Sequence, residues 1–150
     1  MKHAPVRRPR ARPSIRELAR FAEAAVALTL AWLAIKLLPF RIVMKTTEFG
    51  RAASDRSAAS LGIAGHDVQQ AVKRAAKRLP WSIVCFPEAL AAHWMLRRRG
   101  APSRLHYGLK TSPAKLSAHV WVTLAGETII GEERDNSHRC VAIFPPASSA

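Results

Sequence analysis

The sequence predicts an α+β domain in which helices come first and a small antiparallel sheet follows. Up to Gly100 the apolar residues recur at helical spacings of three and four, whereas beyond Gly100 they alternate with polar residues. About half of the 150 residues are apolar (49%), which is enough for one ordinary core. This composition excludes a disordered chain. The two cysteines are too few for a disulfide framework or a four-cysteine zinc site.

Residues 14–38 are predicted to form the first helix. Ser14 can cap it with Glu17 in the capping-box position, and Pro39 ends it. Its uncharged stretch, Ala24 to Ile35, is only twelve residues long, whereas a transmembrane helix needs about 20. The helix is apolar nearly all round, so we expect it to pack in the core or against a partner. A bilayer surface is the alternative, and a span or a signal peptide is less favoured.

The following segments predict two more helices. Arg41 to Ala64 shows no clear period and is interpreted as a short helix or loop. A second helix starts at an Asp67 cap and stops at Pro80, and a third, over 87–99, is ended by Gly100. The second helix has a basic side, which is either a solvated face or a surface for an acidic leader or partner: Lys73, Arg74, Lys77 and Arg78.

The last third of the chain predicts four short strands with turns between them. Apolar residues alternate with polar ones on both sides of a predicted loop, Lys110 to Leu116. A turn over Ala125 to Glu127 connects the second strand to the third. The predicted strands cover 105–109, 118–124, 128–130 and 141–144.

The charge is strongly positive and uneven. There are 24 basic and 10 acidic residues, a net charge of +14, which indicates a polyanion, an acidic peptide or a membrane surface as partner. Residues 1–13 hold five basic residues, no acidic residue and three prolines, so a disordered basic arm is predicted there, followed by a single domain over 14–150. No zinc-finger or helix-turn-helix signal accompanies the charge, so we expect no nucleic-acid partner. No cofactor or metal ion is predicted.

Cys85 is the candidate nucleophile, because it comes just before the start of the third predicted helix. A helix N-terminus favours a thiolate, and its free N–H groups can hold an oxyanion. His119 is the candidate general base and acid, on a strand where Trp121 shares its face. A sheet packed on the Cys85 helix would bring thiol and imidazole together. Acidic candidates to orient the imidazole follow in the sequence: Glu132, Glu133 and Asp135.

Spacing alone leaves alternatives open. A cysteine in a chain this apolar is often just a small buried hydrophobe, and a histidine is often structural. His93 lies about 80° round the same helix from Cys85 and is poorly aimed, whereas His106, on the neighbouring strand, is the stronger rival to His119. Cys140 has no helix start or strand histidine beside it and is interpreted as structural.

Several blocks together resemble the transglutaminase-like lasso-peptide B proteins, over roughly Leu18 to Phe144. The first helix corresponds to the apolar helix with which that family opens. The resemblance rests on the cysteine block, the strand around Gly108 and the histidine block: Leu79-Pro80-Trp81, Cys85, Ala89-Leu90-Ala91-Ala92, Leu96-Arg97-Arg98-Arg99-Gly100, Leu105 to Leu109, Ala118-His119-Val120-Trp121-Val122 and Gly126.

The resemblance implies a papain-like or transglutaminase-like cysteine protease that removes the leader from a lasso-peptide precursor. Cys85 would be the nucleophile and His119 the base and acid. The family usually has Asp about where Glu132 stands, so Glu132 would be the third member, with Asp135 as the alternative.

The resemblance also implies partners. These are the lasso precursor peptide and an ATP-dependent lasso cyclase, which joins the freed amine to an Asp or Glu side chain. Residues 1–13 and one helix leave no room for a leader-binding module, so a separate leader-binding protein is expected. We expect a cytoplasmic enzyme, with peripheral contact to the inner face of the membrane as a further expectation. The alternatives are a basic nucleic-acid-binding protein, a membrane-associated scaffold with an inert cysteine, and an acyl-transfer enzyme that uses an amine instead of water.

Overall fold

The computed structural model describes residues 13–50, 56–112, 115–131 and 137–146. Within them, helices precede an antiparallel sheet, which confirms the predicted α+β class. The predicted basic arm, apart from Pro13, lies outside the described residues. The helices are α1 (Ile15–Leu37), α2 (Phe40–Lys45), α3 (Ala58–Ala76) and α4 (Cys85–Arg98), with a 3₁₀ turn at Thr46–Glu48, and the strands are β1 (Arg104–Ser112), β2 (Lys115–Leu124), β3 (Glu127–Ile130) and β4 (Arg139–Phe144).

Helix α1 starts at the predicted capping box. The Glu17 N–H donates to Ser14 Oγ at 3.2 Å, and the Ser14 N–H donates to the Glu17 carboxylate at 2.9 Å. One face of α1 is fully buried against α3 and α4. By length and composition this helix could cross a membrane, although three of its residues are buried in the core: Ala24, Leu28 and Ala31.

Helix α3 begins earlier than the sequence predicted. Ser57 is its N-cap, with Oγ accepting from the Ser60 N–H at 3.3 Å, so the predicted cap at Asp67 is wrong. Asp67 lies inside the helix, where its carboxylate forms an ion pair with Arg20 of α1 at 2.8 Å. Residues before Asp67 show a weak apolar pattern, since few of them contact the core.

Helix α4 is the centre of the fold. It contacts α1 and α3 on one side and β2 on the other. It begins at Cys85, two residues before the predicted start at Pro87. Its inner residues, from Ala89 to Ala92 and at Leu96, are fully buried. This position places the first turn of α4 beside the sheet.

The four strands form an antiparallel sheet in the order β3-β2-β1-β4. The predicted loop over 110–116 is wrong, because β1 and β2 stay paired out to Ser112 and Lys115. The β2–β3 turn has positive φ at Ala125 (51°) and Gly126 (87°), as a tight hairpin turn requires.

The two faces of the sheet differ in chemistry. Val120, Val122 and Leu124 of β2 are buried in the core, with Leu105 of β1 on the same face. The intervening residues form the opposite face, which carries rings and hydroxyl groups in place of aliphatic groups: His106, His119, Trp121 and Thr123.

Candidate active site

Cys85 is the first residue of α4 and is half-buried. The next residue, Phe86, lies with its ring 6.5 Å from the ring of Tyr107 on β1. Tyr107 pairs with Val120, which follows His119 on β2. The first turn of α4 therefore lies at the same level along the strands as His119.

Two backbone N–H groups at this helix end have no acceptor in the described part of the chain. The N-cap Val84 makes no side-chain cap, Pro87 has no N–H, and the Glu88 N–H bonds to the Val84 carbonyl at 3.4 Å. Among the described residues, the N–H groups of Cys85 and Phe86 have no acceptor. Paired N–H groups beside a thiol are the arrangement that stabilises an oxyanion formed at a substrate carbonyl.

Two further groups, one in the first turn of α4 and one four residues before Cys85 in the chain, were not singled out from the sequence. Glu88 lies three residues further along α4, hence on the same side, and its burial raises the pKa of its carboxyl, against the opposing effect of Lys73. The Trp81 Nε1–H is buried and has no acceptor among the described residues. The spacing of Glu88 on a predicted helix could have signalled it, whereas the buried indole donor has no signal in the sequence.

His119 is half-buried on β2, and its ring stacks with Trp121 at 5.9 Å between centroids. Its Nε2–H donates to the Gly131 carbonyl at 2.7 Å. Since Nε2 carries the proton, Nδ1 is the basic nitrogen of the neutral ring, and no described residue hydrogen-bonds to it. The backbone therefore fixes the tautomer of this histidine.

Gly131 is required by its conformation as well as its position. Its φ is +82°, and a Cβ there would lie 2.6 Å from the Val120 carbonyl oxygen and 2.8 Å from Trp121 Cβ. Only glycine fits both constraints without displacement of the chain. Gly131 is thus a positioning residue for the His119 ring, which sequence analysis did not identify.

The structure does not join Cys85 to His119 by a hydrogen bond within the described residues. Trp121 shares the face of His119, as predicted, and α4 packs on the sheet. However, α4 covers the face of Val120, whereas the His119 ring lies on the other face. The predicted route, across the sheet face that α4 covers, therefore does not bring thiol and imidazole together.

A second cysteine–histidine pair lies on that other face. Cys140 Sγ is 3.7 Å from His106 Nδ1, and His106 Nε2 is 2.8 Å from Thr123 Oγ1. The prediction that Cys140 has no strand histidine beside it is wrong, because β4 pairs with β1 and brings Cys140 next to His106. Burial, with Arg104 nearby, lowers the pKa of His106. The Cys140 thiol is also 3.5 Å from the Ala142 carbonyl.

The remaining candidates are placed as follows. Glu132, Glu133 and Asp135 lie outside the described residues. His93 is fully buried, where its Nε2–H donates to the Thr47 carbonyl and its Nδ1 accepts from Ser103, each at 3.0 Å. His93 is therefore a structural residue of the core. The described part of the chain holds no group of three or more side chains suited to a metal ion.

The basic side of α3 is exposed, as expected both for a solvated face and for a surface that binds an acidic leader or partner. Arg74 lies 3.9 Å from the Glu17 carboxylate, and the Arg78 guanidinium lies 5.2 Å from the centre of the Phe21 ring. Lys73 and Lys77 are also exposed.

Comparison with protein-family models matches residues 24–144 to the transglutaminase-like superfamily. No curated protein and no solved structure matches the chain. The matched range includes Cys85, His119 and the four strands of the described residues, and it covers most of the chain. The chain therefore belongs to the transglutaminase-like superfamily, which includes cysteine peptidases.

Proposed function

We propose that this protein is a cysteine peptidase whose nucleophile is Cys85 and whose substrate is a ribosomally made precursor peptide of the lasso class. The observation that carries the proposal is the place of Cys85: it lies in the first turn of α4, beside two N–H groups without acceptors, inside the superfamily match. The lasso substrate is supported by the block resemblance in the sequence.

The chemistry assigns one role to each group. His119 Nδ1 takes the proton of the Cys85 thiol, the thiolate attacks the carbonyl carbon at the leader–core bond, and the N–H groups of Cys85 and Phe86 hold the oxyanion. His119 Nδ1 delivers the proton to the leaving amine as the C–N bond breaks, leaving a thioester on Sγ. The same nitrogen then takes a proton from water, which attacks the thioester and releases the acid and the thiol.

The structure separates the Cys85 thiol from the His119 imidazole. Because α4 and the His119 ring lie on opposite faces of β2, the role of His119 is supported by its sequence block and by the superfamily match, and not by a contact with Cys85. The fixed Nε2 tautomer of His119 supports its role, since Nδ1 is left as the base. Glu132 or Asp135 remains the proposed acidic member, and it would share the Nε2–H with the Gly131 carbonyl, because Nδ1 is the base. The precursor, a leader-binding protein and an ATP-dependent cyclase remain the proposed partners in the cytoplasm.

Cys140 with His106 is the competing nucleophile–base pair, favoured by the 3.7 Å contact between them. Cys140 lies on strand β4, where no helix N-terminus accompanies its thiol. We therefore assign the chemistry to Cys85.

The test compares the two cysteines directly. Lasso precursor peptide is incubated with the protein and a leader-binding partner, and the products are identified by mass spectrometry. We expect one cleaved bond, lost in Cys85→Ala and at least about a hundredfold slower in His119→Ala, but retained in Cys140→Ala and His106→Ala. Normal turnover by Cys85→Ala, or loss in Cys140→Ala alone, would contradict the assignment.

The same assay distinguishes hydrolysis from acyl transfer. If an added amine replaces water as acceptor, the product gains the mass of that amine and the Cys85 dependence is unchanged. That outcome would favour the transferase chemistry on the same nucleophile.

A further inference from the structure

Helix α1 and the segment after it leave a broad apolar surface uncovered. Along α1 the exposed residues recur at helical spacing, with Leu30 53% and Leu37 74% exposed. The surface continues past the end of α1 to Phe49, which is 77% exposed. We call these residues the outer apolar face: Val26, Leu30, Leu33, Leu37, Leu38 and Phe49.

A groove runs along this face. It has a volume of about 790 Å³ and lies between the C-terminal half of α1, Phe49 and Trp94 of α4. A second groove of about 620 Å³ adjoins it and shares Leu30, Trp94 and Arg98 in its lining. The groove walls are almost entirely hydrocarbon, which suits an acyl chain.

One cation lines the groove, and three more lie close to this face in the sequence. Lys36, Arg41 and Lys45 are all exposed, and no acidic residue occurs between Glu23 and Glu48. Arg98, whose side chain is 79% exposed, lies at the groove with its guanidinium 3.8 Å from Glu23. Exposed apolar side chains flanked by lysine and arginine are typical of helices that lie in the interface of an anionic bilayer.

We propose that the outer apolar face binds the surface of an anionic phospholipid bilayer, with α1 parallel to that surface. The buried residues Ala24 and Leu28 hold the opposite side of α1 in the core, so the helix lies on the membrane and does not span it. A second copy fits less well, because a two-fold contact through this face would oppose the cations of the two copies. The proposal is independent of the peptidase chemistry.

The experiment is flotation of the full chain with phospholipid vesicles. We expect the protein to float with vesicles that contain phosphatidylglycerol and to remain in solution with pure phosphatidylcholine. Leu33→Gln combined with Leu37→Gln should lower partitioning at least about tenfold, since both side chains are proposed to enter the acyl layer. Ile63→Gln on α3 is the matched control, because Ile63 is 66% exposed outside this face.

The remaining outcomes decide against the proposal. Absence from the anionic vesicle fraction would overturn it. Equal flotation of the double variant and the wild type would show that basic charge alone causes binding, and would also overturn it. A dimer by light scattering that the double variant loses, without flotation, would assign the face to a second copy. Circular dichroism checks that each variant is folded.

Discussion

At the scale of single residues, the conformation of Gly131 determines which nitrogen of His119 is free. The carbonyl of Gly131 accepts the Nε2–H at 2.7 Å, so Nδ1 is the base. The main chain thus performs an orienting role that sequence analysis assigned to an acidic side chain alone. A substitution cannot remove the Gly131 carbonyl, so its contribution is tested by a substitution that displaces it.

We predict that Gly131→Ala lowers kcat/KM for precursor cleavage by about tenfold to a hundredfold, a fraction of what general acid–base catalysis provides. The added Cβ would meet the Val120 carbonyl oxygen at 2.6 Å and displace the acceptor of His119. Gly126→Ala is the matched control: its φ is +87°, yet no atom lies within 4 Å of the added Cβ. Equal activity of the two variants would contradict the role of Gly131.

His93 gives a second prediction at this scale. Burial lowers its pKa to about 4 from 6.5, so the folded protein holds it neutral. Between these values the unfolded chain binds more protons, and stability therefore falls as the pH falls from about 6.5 to about 4. The expected loss is about 3 kcal/mol, at 1.36 kcal/mol per pKa unit.

The measurement is the free energy of unfolding by urea at several pH values, for the wild type and His93→Gln. The variant lacks this titration, so the difference between the two proteins should shrink or change sign as the pH falls below about 6.5. Parallel curves over that range would show that His93 does not bear this linkage.

At the scale of elements, the sequence predicted those helix ends that are set by hydrogen bonds or backbone conformation within a few residues. Ser14 caps α1 through its own capping box, and Gly100 follows α4 with positive φ. Asp67 failed as a predicted cap because its partner, Arg20, lies on another helix. The predicted loop over 110–116 failed because its polar residues interrupt the alternation, while their pairing is set by the β1–β2 register.

In the candidate site, too, features set by neighbouring residues were predictable and contacts between distant residues were not. The position of Cys85 at a helix start was predictable from nearby Pro87, and the shared face of His119 and Trp121 from strand alternation. The contact between Cys140 and His106 was not, because it joins residues 34 positions apart through β1–β4 pairing. Which sheet face α4 covers is likewise a tertiary property.

Helix α1 gives a prediction at the scale of elements, because it has one core face and one exposed face. Leu28 is fully buried and Leu30 is 53% exposed, two residues further along the same helix. Leu28→Ala should cost about 2–5 kcal/mol of stability, through lost burial and a cavity. Leu30→Ala should change it by no more than about 0.5 kcal/mol.

Urea unfolding of both variants measures the two costs. Similar small values would mean that α1 is a detachable anchor and not part of the core. A large cost for Leu28→Ala alone agrees with a helix that packs on α3 and α4 while its other face stays available.

At the scale of the whole molecule, α4 connects two surfaces with different chemistry. Its first turn presents Cys85 beside the sheet, while Trp94 and Arg98 near its other end line the groove at the outer apolar face. If both proposals hold, the protein cleaves its peptide while bound at a membrane surface. The net charge of +14 favours both an anionic bilayer and an acidic leader.

Cys85, assisted by His119, is the proposed reactive thiol of this protein. The most direct test measures alkylation by iodoacetamide at each cysteine, by peptide mass spectrometry, between pH 5 and pH 9. Exposure alone favours Cys140, which is exposed, over the half-buried Cys85. We predict the reverse order at neutral pH, with Cys85 slowed in His119→Ala and unchanged in His106→Ala. Faster alkylation of Cys140, slowed in His106→Ala while Cys85 stays inert, would contradict the account.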